Sequence, residues 1–368
     1  MDTITIPQSM LPEDARFGSG PSKIRPEQVE ALDRAARTLL GTSHRQAPVK
    51  DLVESIRTGI ARFFSLPDGY EVVLGNGGAS AFWDVMCASL ITRQAACGVY
   101  GSAPFLEDPI VFESEPGTYC VPERAEYVDT YCWAQNETST GVQAPVYRID
   151  GSREQGALIA IDATSAAGAI PVDISQTDVY YFSPQKAFGS EGGLWIATLS
   201  PAAIQRAEGI KRSCALEGAR RWIPPFLSLT SAIDNSLKNQ TLNTPSISTL
   251  VLLGEQVKWL NENGGMAWSA ARCKRSSDIV YAWAERSAYA RPFVTNVDAR
   301  SQSVVTIDLD DSLPQAYVTA ALRDNGIVDV NGYRKLGRNQ LRIGVFPSVE
   351  PSDVEALLAC IDYVVEHM

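Results

Sequence analysis

Histidine is almost absent from the chain: His44 and His367 are the only two, and His367 sits one residue from the C-terminus. A Ser-His-Asp relay or a histidine-rich metal centre would have to rest on His44 alone, so both are discounted. Cysteine is sparse. Its seven copies, Cys87, Cys97, Cys120, Cys132, Cys214, Cys273 and Cys360, form an odd set without a Cys-x-x-Cys pair, and read as buried thiols in a reducing compartment. No stretch approaches the roughly 20 consecutive apolar residues of a membrane span. The opening residues, Met1-Asp2-Thr3-Ile4-Thr5-Ile6-Pro7, carry neither a basic leader nor an apolar signal core, so no secretory signal is expected and a cytoplasmic protein is. Basic clusters are missing too. The net charge is −11 and the longest basic run is Ala271-Arg272-Cys273-Lys274-Arg275, which argues against non-specific binding to nucleic acid or anionic membranes. Internal repeats and low-complexity tracts are also absent.

What is present is the alternation of helix and strand signals that favours a mainly parallel sheet covered by helices, an α/β fold class. At 368 residues the chain exceeds the size of one hydrophobic core, and two domains are expected. Pro26 opens a helix whose apolar residues, Val29, Leu32, Ala36, Leu39 and Leu40, recur at helical spacing. A second helix follows Pro48, with Val49, Leu52, Val53, Ile56, Ile60, Phe63 and Phe64 on one face, and Pro67-Asp68-Gly69 turns the chain into a strand at Glu71-Val72-Val73-Leu74. The C-terminal third reads differently. Ser303–Leu309 is a predicted strand, the segment after Pro314 a helix ended by Gly326, and Gln340–Phe346 a further strand. A last helix is expected near Ser352-Asp353-Val354-Glu355, which has capping-box spacing. The expected division is a large domain over 17–255 and a smaller α+β domain over 256–368, with residues 1–16 added to the smaller one.

Two residues carry the most chemistry. An apolar run, Leu158-Ile159-Ala160-Ile161, stops at Asp162, and twenty-four residues later Lys186 lies in Ser183-Pro184-Gln185-Lys186. An aspartate at the end of one buried strand and a lysine just past the next are the pair that a pyridoxal 5'-phosphate (PLP) enzyme needs. The aspartate keeps the pyridine nitrogen protonated, and the lysine amine holds the aldehyde as a Schiff base. Taken singly, each has a plainer reading, a turn-capping Asp and a surface Lys.

Four further segments add to the pair. Gly75-Asn76-Gly77-Gly78-Ala79-Ser80, between a strand and a helix, lets backbone amides at a helix start approach a phosphate, though a dinucleotide loop or a plain turn fits the same letters. Thr42-Ser43-His44-Arg45-Gln46 offers a forked cation beside a titratable donor, suited to a phosphate or carboxylate, against the alternative of a solvated loop pair. Asn243-Thr244-Pro245 reads as a turn before a helix. Arg334, Arg338 and Arg342 crowd one segment. Arg342, inside an apolar strand, must face an anion or an internal carboxylate, while Arg338 reads as a solvated loop charge.

With these residues in view the chain resembles the phosphoserine aminotransferases, in the class V, fold-type I group of PLP enzymes. The likeness runs nearly end to end, through Phe17-Gly18-Ser19-Gly20-Pro21-Ser22, His44-Arg45, Gly77-Gly78, Asn136-Glu137-Thr138, Asp162, Ser183-Pro184-Gln185-Lys186, Asn243-Thr244-Pro245 and the Arg342 strand. It is most similar to the actinobacterial branch, on the segments Gly41–Val49 and Arg334–Arg342. The resemblance implies that Lys186 binds the PLP aldehyde, Asp162 pairs with the pyridine nitrogen, and Thr138 contacts the ring hydroxyl region. It implies that Gly78, Ala79, Ser80 and Gln185 hold the phosphate, with Asn243 and Thr244 reaching it from the partner subunit of a homodimer. Arg342 is implied as the clamp for the substrate α-carboxylate, and His44, Arg45 and Arg334 as receivers of the distal phosphate or γ-carboxylate.

The implied activity is transamination between L-glutamate and 3-phosphohydroxypyruvate, both small molecules, giving O-phospho-L-serine for serine biosynthesis. One departure stands out. After Val99-Tyr100-Gly101 the family pattern has a helix with an aromatic residue stacked on the pyridine ring, and here the segment is short and that residue is missing. Phe105 is the available replacement. The shortening leaves a related class V aminotransferase with an altered substrate as the alternative, beside a nicotinamide dehydrogenase built on the glycine loop and a non-catalytic protein that kept the fold.

Overall fold

The computed structural model describes residues 4–101 and 108–368. Two helices, α1 (Pro26–Ala36) and α2 (Ala47–Phe63), precede the first strand, and each has proline in its first turn, where the missing N–H costs nothing. In α2 the residues Val49, Val53, Ile56, Ile60 and Phe63 recur every three or four positions and all are buried. The face of α1 differs from the expectation. The helix stops at Ala36, Val29 is 55 % exposed, and Gln28 is fully buried in its place. Gln28 tolerates burial because its amide is satisfied: Nε2 donates to the carbonyls of Gly189 (2.6 Å) and Leu252 (2.9 Å), and Oε1 accepts from the Arg25 amide.

The strands are β1 (Glu71–Asn76), β2 (Gln94–Val99), β3 (Ile110–Glu113), β4 (Val128–Ala134), β5 (Asn136–Glu137), β6 (Val142–Gln143), β7 (Leu158–Asp162), β8 (Val179–Phe182) and β9 (Leu194–Leu199). Seven of them form one sheet in the order β1-β9-β8-β7-β4-β2-β3, while β5 and β6 make a small hairpin. Only β9 runs against the rest, pairing antiparallel with both β1 and β8. The central strands are buried on both faces, which is why they read as unbroken apolar runs rather than alternating ones. Successive residues still serve opposite sides. Ile159, Ile161, Tyr180 and Phe182 pack towards α2 and α6 (Ile247–Glu262). Leu158, Ala160, Val179 and Tyr181 pack towards α3 (Ala79–Ser89), α4 (Pro201–Cys214) and α5 (Leu229–Ser236).

Beyond α7 (Gly265–Arg286) a second, antiparallel sheet forms from β10 (Ala290–Pro292), β11 (Val304–Leu309) and β12 (Gln340–Gly344). With α8 (Gln315–Asp324) and α9 (Pro351–Glu366) it encloses its own apolar core, which also takes in Ile6 and Phe17 from the start of the chain. The expected capping box at α9 does not form. Glu350 is the N-cap, because Pro351 takes the first helical position. The buried carboxylate of Asp353 turns instead to the N-terminal segment, accepting from the Glu13 amide at 2.9 Å and lying 3.7 Å from Lys23. Arg338 is exposed on its loop, as expected, and is also paired: its guanidinium makes two hydrogen bonds to Asp308, at 3.2 and 2.8 Å, and lies over the Phe293 ring. All seven cysteines are free thiols, four of them buried and Cys87, Cys120 and Cys214 only partly so. Among the described residues no helix is long and apolar enough to cross a membrane.

Candidate active site

A cavity of about 430 Å³ opens at the carboxyl ends of the parallel strands β1, β4, β7 and β8, the edge at which open α/β sheets bind ligands. Loops leaving those strands cannot continue the sheet, so their polar side chains and free backbone groups converge on the opening. Among the residues lining it are Gly78, Ala79, Ser80, Thr138, Asp162, Gln185, Lys186 and Arg342.

Asp162 and Lys186 come from neighbouring strands, with Asp162 in register with Tyr181 across β7 and β8. Past Phe182 the turn through Gln185 carries Lys186 to a site where it is 8 % exposed. The segment Gly18–Ser22 packs on this turn. The Ser22 amide donates to the Gln185 carbonyl at 2.8 Å, and the Ser22 hydroxyl to the Lys186 carbonyl at 2.5 Å. Gly20 has φ of 140°, and a Cβ there would lie 2.8 Å from Lys186 Cε, so both the backbone conformation and the lysine stem require glycine. Lys186 Nζ donates to Thr138 Oγ1 at 2.7 Å. Burial lowers the Lys186 pKa to about 8, against the opposing pull of Asp162 and Glu137, with Arg342 lowering it further.

The Asp162 carboxylate is held at both oxygens. Oδ1 accepts from the Thr164 amide at 2.9 Å, the Asx-turn geometry of an aspartate two residues ahead of its donor, and Oδ2 accepts from Trp83 Nε1 at 3.2 Å. Burial raises the Asp162 pKa, and the hydrogen bonds from Thr164 and Trp83, together with the charge of Lys186, hold the rise in check. At the other end of the cavity Gly77, with φ of 109°, turns the chain from β1 into Gly78, the N-cap of α3. The first amides of a helix have no intrahelical acceptor and lie at its positive end, which suits an anion.

Arg342 enters from β12. Its Nε is buried without a partner, Nη1 makes one long contact to the Thr138 carbonyl at 3.5 Å, and the guanidinium lies over the Tyr333 ring. No salt bridge forms at Arg342 among the described residues, so of the two sequence alternatives the internal carboxylate is not seen. Burial lowers its pKa, with Tyr333 and Glu137 acting in the other direction. Asn136 Oδ1 and Gln185 Oε1, also on cavity-lining residues, are buried without partners. Thr164 Oγ1 is a fourth such atom, and the set calls for a polar ligand with an anionic group for the Arg342 N–H and hydrogen-bond donors for the two amide oxygens.

The remaining expected residues do not enter this cavity within one chain. His44, Arg45, Asn243 and Thr244 gather elsewhere: His44 Nδ1 lies 3.1 Å from Thr244 Oγ1, and Arg45 Nη1 donates to Gln240 Oε1 at 3.2 Å. Asn76 links that cluster to the glycine loop, accepting from the Asn243 amide at 3.3 Å. His44 is buried with Nε2 unpartnered, and burial followed by the nearby Arg45 lowers its pKa. Asn243, Thr244 and Arg45 are exposed, as is Arg334 on a short turn beside Tyr333. Phe105 lies outside the described residues. Trp83, Thr164 and Tyr181 line the cavity and were missed from the sequence. The signals were there in part: Trp83 is one turn beyond Ala79 on the same helix face, and Thr164 follows Asp162 at Asx-turn spacing.

Comparison with known proteins follows the same lines. The model of the family described as Aminotransferase class-V matches residues 123–334. The chain is 54 % identical to a putative phosphoserine aminotransferase of Mycobacterium leprae over 377 residues, covering 100 % of this chain and 98 % of that protein. It is 52 % identical to a phosphoserine aminotransferase of a Nocardioides species over 378 residues, covering all of both. A solved phosphoserine aminotransferase from Cytophaga hutchinsonii superposes with a TM-score of 0.84 at 21 % identity, over 95 % of this chain and 98 % of the other, a likeness of fold.

Proposed function

The chain belongs to the class-V aminotransferase family, alongside the phosphoserine aminotransferases, and from that premise we propose that it transfers an amino group from L-glutamate to 3-phosphohydroxypyruvate, giving 2-oxoglutarate and O-phospho-L-serine, with PLP as cofactor. The observation that carries the reading is the placement of Asp162 and Lys186 in the lining of one cavity, together with Arg342, which has no carboxylate partner among the described residues.

The cavity residues fit the cofactor. Asp162 is positioned to hold a protonated pyridine nitrogen, the first amides of α3 with Gln185 to hold a phosphate, and Thr138 to meet a ring hydroxyl. When bound, PLP supplies an aldehyde for amines to condense with and a ring that accepts the electron pair released from the substrate Cα. Lys186 is the residue that would hold that aldehyde, since an amine with a pKa near 8 is neutral, and so nucleophilic, in part of the population at physiological pH. With the cofactor bound, Nζ of Lys186, within reach of the Thr138 hydroxyl, would be the group that takes the proton from the substrate Cα as general base and returns it as general acid. Arg342 binds the α-carboxylate shared by both substrates.

Each substrate also carries a second anion, a γ-carboxylate or a phosphate. We assign its recognition to His44 and Arg45 with Arg334. Because His44 and Arg45 share a surface cluster with Asn243 and Thr244, the whole cluster is taken to act on the partner's cavity in a homodimer, His44 and Arg45 on substrate and Asn243 and Thr244 on the cofactor phosphate. In both alignments the matched length exceeds the 368 residues of this chain, so those relatives carry residues without a counterpart here. The test is the visible absorption of purified protein. A yellow band that glutamate bleaches and 3-phosphohydroxypyruvate restores, with other keto acids slower, is expected; a colourless protein, or a band that glutamate leaves unchanged, contradicts the proposal.

A further inference from the structure

Asp162 owes its orientation to a residue well separated from it in sequence. Trp83 lies on α3, whose first turn forms the phosphate end of the cavity, and its indole N–H reaches Asp162 Oδ2 at 3.2 Å while also meeting the Tyr181 hydroxyl at 2.8 Å. All three side chains line the cavity. The Thr164 amide occupies Oδ1, so the carboxylate cannot rotate without breaking a bond at one oxygen or the other. We propose that Trp83 is a positioning residue for Asp162, its indole N–H holding the carboxylate ionised and aimed at the pyridine nitrogen, so that one helix organises both the phosphate and the ring-nitrogen ends of the cofactor site. The proposal rests on the PLP reading above.

The physical need is plain. Burial drives the Asp162 carboxyl towards its neutral form, and a neutral carboxyl cannot hold a pyridinium. The charge of Lys186 opposes that drive only while its amine is protonated. The Trp83 indole and the Thr164 amide do not titrate, and so act whatever the state of the lysine. Tyr181 adds a fixed dipole on the same side: burial first, and the Asp162 charge next, push its phenol well up, so it keeps its proton. The rival account is that Trp83 is only an aromatic wall. Phenylalanine keeps the wall and removes the donor, which separates the two.

The experiment uses full-length protein carrying Lys186→Ala, so that binding is non-covalent, and titrates two ligands by calorimetry: PLP, and benzyl phosphate, which has the ring and the phosphate but no ring nitrogen. Adding Trp83→Phe is expected to weaken PLP by about tenfold, the scale of a hydrogen bond to a charged group, and to leave benzyl phosphate nearly unchanged. The PLP deficit should grow as pH falls from 8 to 5, because Asp162 without its donor takes a proton at higher pH. Trp83→His, which returns an N–H to a similar place, should recover the preference for PLP, and it carries the test should the phenylalanine variant not fold. Equal weakening of both ligands, a deficit independent of pH, or unchanged PLP binding overturns the proposal. An Asp162→Asn control that binds PLP as well as its parent would instead overturn the reading of the cavity itself.

Discussion

Lys186 Nζ and Thr138 Oγ1 are joined by a 2.7 Å hydrogen bond that ties the loop after β8 to the turn after β5. The bond fixes where the amine points, and the burial that accompanies it sets when the amine is reactive.

The first prediction concerns that amine. Its pKa is lowered from 10.5 to about 8, so the rate at which apo-protein captures PLP should rise with pH and level off above about 8. Stopped-flow absorbance across pH 6 to 11 reads this directly, and a midpoint near 10.5 would contradict it. The linkage has a definite sign. Between about 8 and 10.5 the unfolded chain holds a proton that the folded one has lost, so the contribution of Lys186 to stability increases with pH in that window.

Arg342 should separate function from stability. Arg342→Met removes a cation that no carboxylate offsets among the described residues, so the apo-protein should melt no lower than its parent. Affinity for glutamate should fall by roughly 2–4 kcal/mol if the contact is buried and ionic. Thermal melting paired with single-turnover kinetics checks both halves; an unchanged Michaelis constant for glutamate would remove Arg342 from the substrate site.

Subunit exchange tests the second cluster. A Lys186→Ala chain and a chain carrying His44→Ala with Arg45→Ala should each be poorly active alone. If His44 and Arg45 serve the neighbouring cavity, the mixed dimer contains one intact site and recovers roughly half of wild-type activity. Recovery would be absent if they served their own chain. Two different affinity tags isolate the mixed species.

At Gly20 a single methyl group is expected to matter. Gly20→Ala places a side chain at φ of 140° and 2.8 Å from Lys186 Cε, and a cost of about 1–3 kcal/mol is the usual scale of such backbone strain. Denaturant midpoints and the rate of PLP capture should both fall. A variant with parental values for both would show that the N-terminal segment shifts freely away from the lysine.

The fold was legible where the signal is local. The apolar runs Val179–Phe182 and Leu158–Ile161 became buried strands, and the turn residues that end them became the cavity edge, because strand period, turn chemistry and helix starts are properties of a few adjacent residues. The buried face of α1 was misread for the converse reason. Whether a polar side chain such as Gln28 is buried depends on acceptors more than 150 residues away, and the ion pair of the exposed Arg338 depends on Asp308, thirty residues away on β11.

By itself, then, the sequence determined the chemistry available, an aspartate closing one buried strand and a lysine following the next, together with the family to which their surroundings point. Only the tertiary structure decided which residues share a cavity. It brought Trp83 onto Asp162 and set His44 and Arg45 beside Thr244 and Gln240 rather than beside Lys186. The physical reason is that hydrogen bonds and ionic contacts act over a few ångströms, and proximity on that scale between residues far apart in the chain is settled by how the sheet orders its strands and how the helices pack on them.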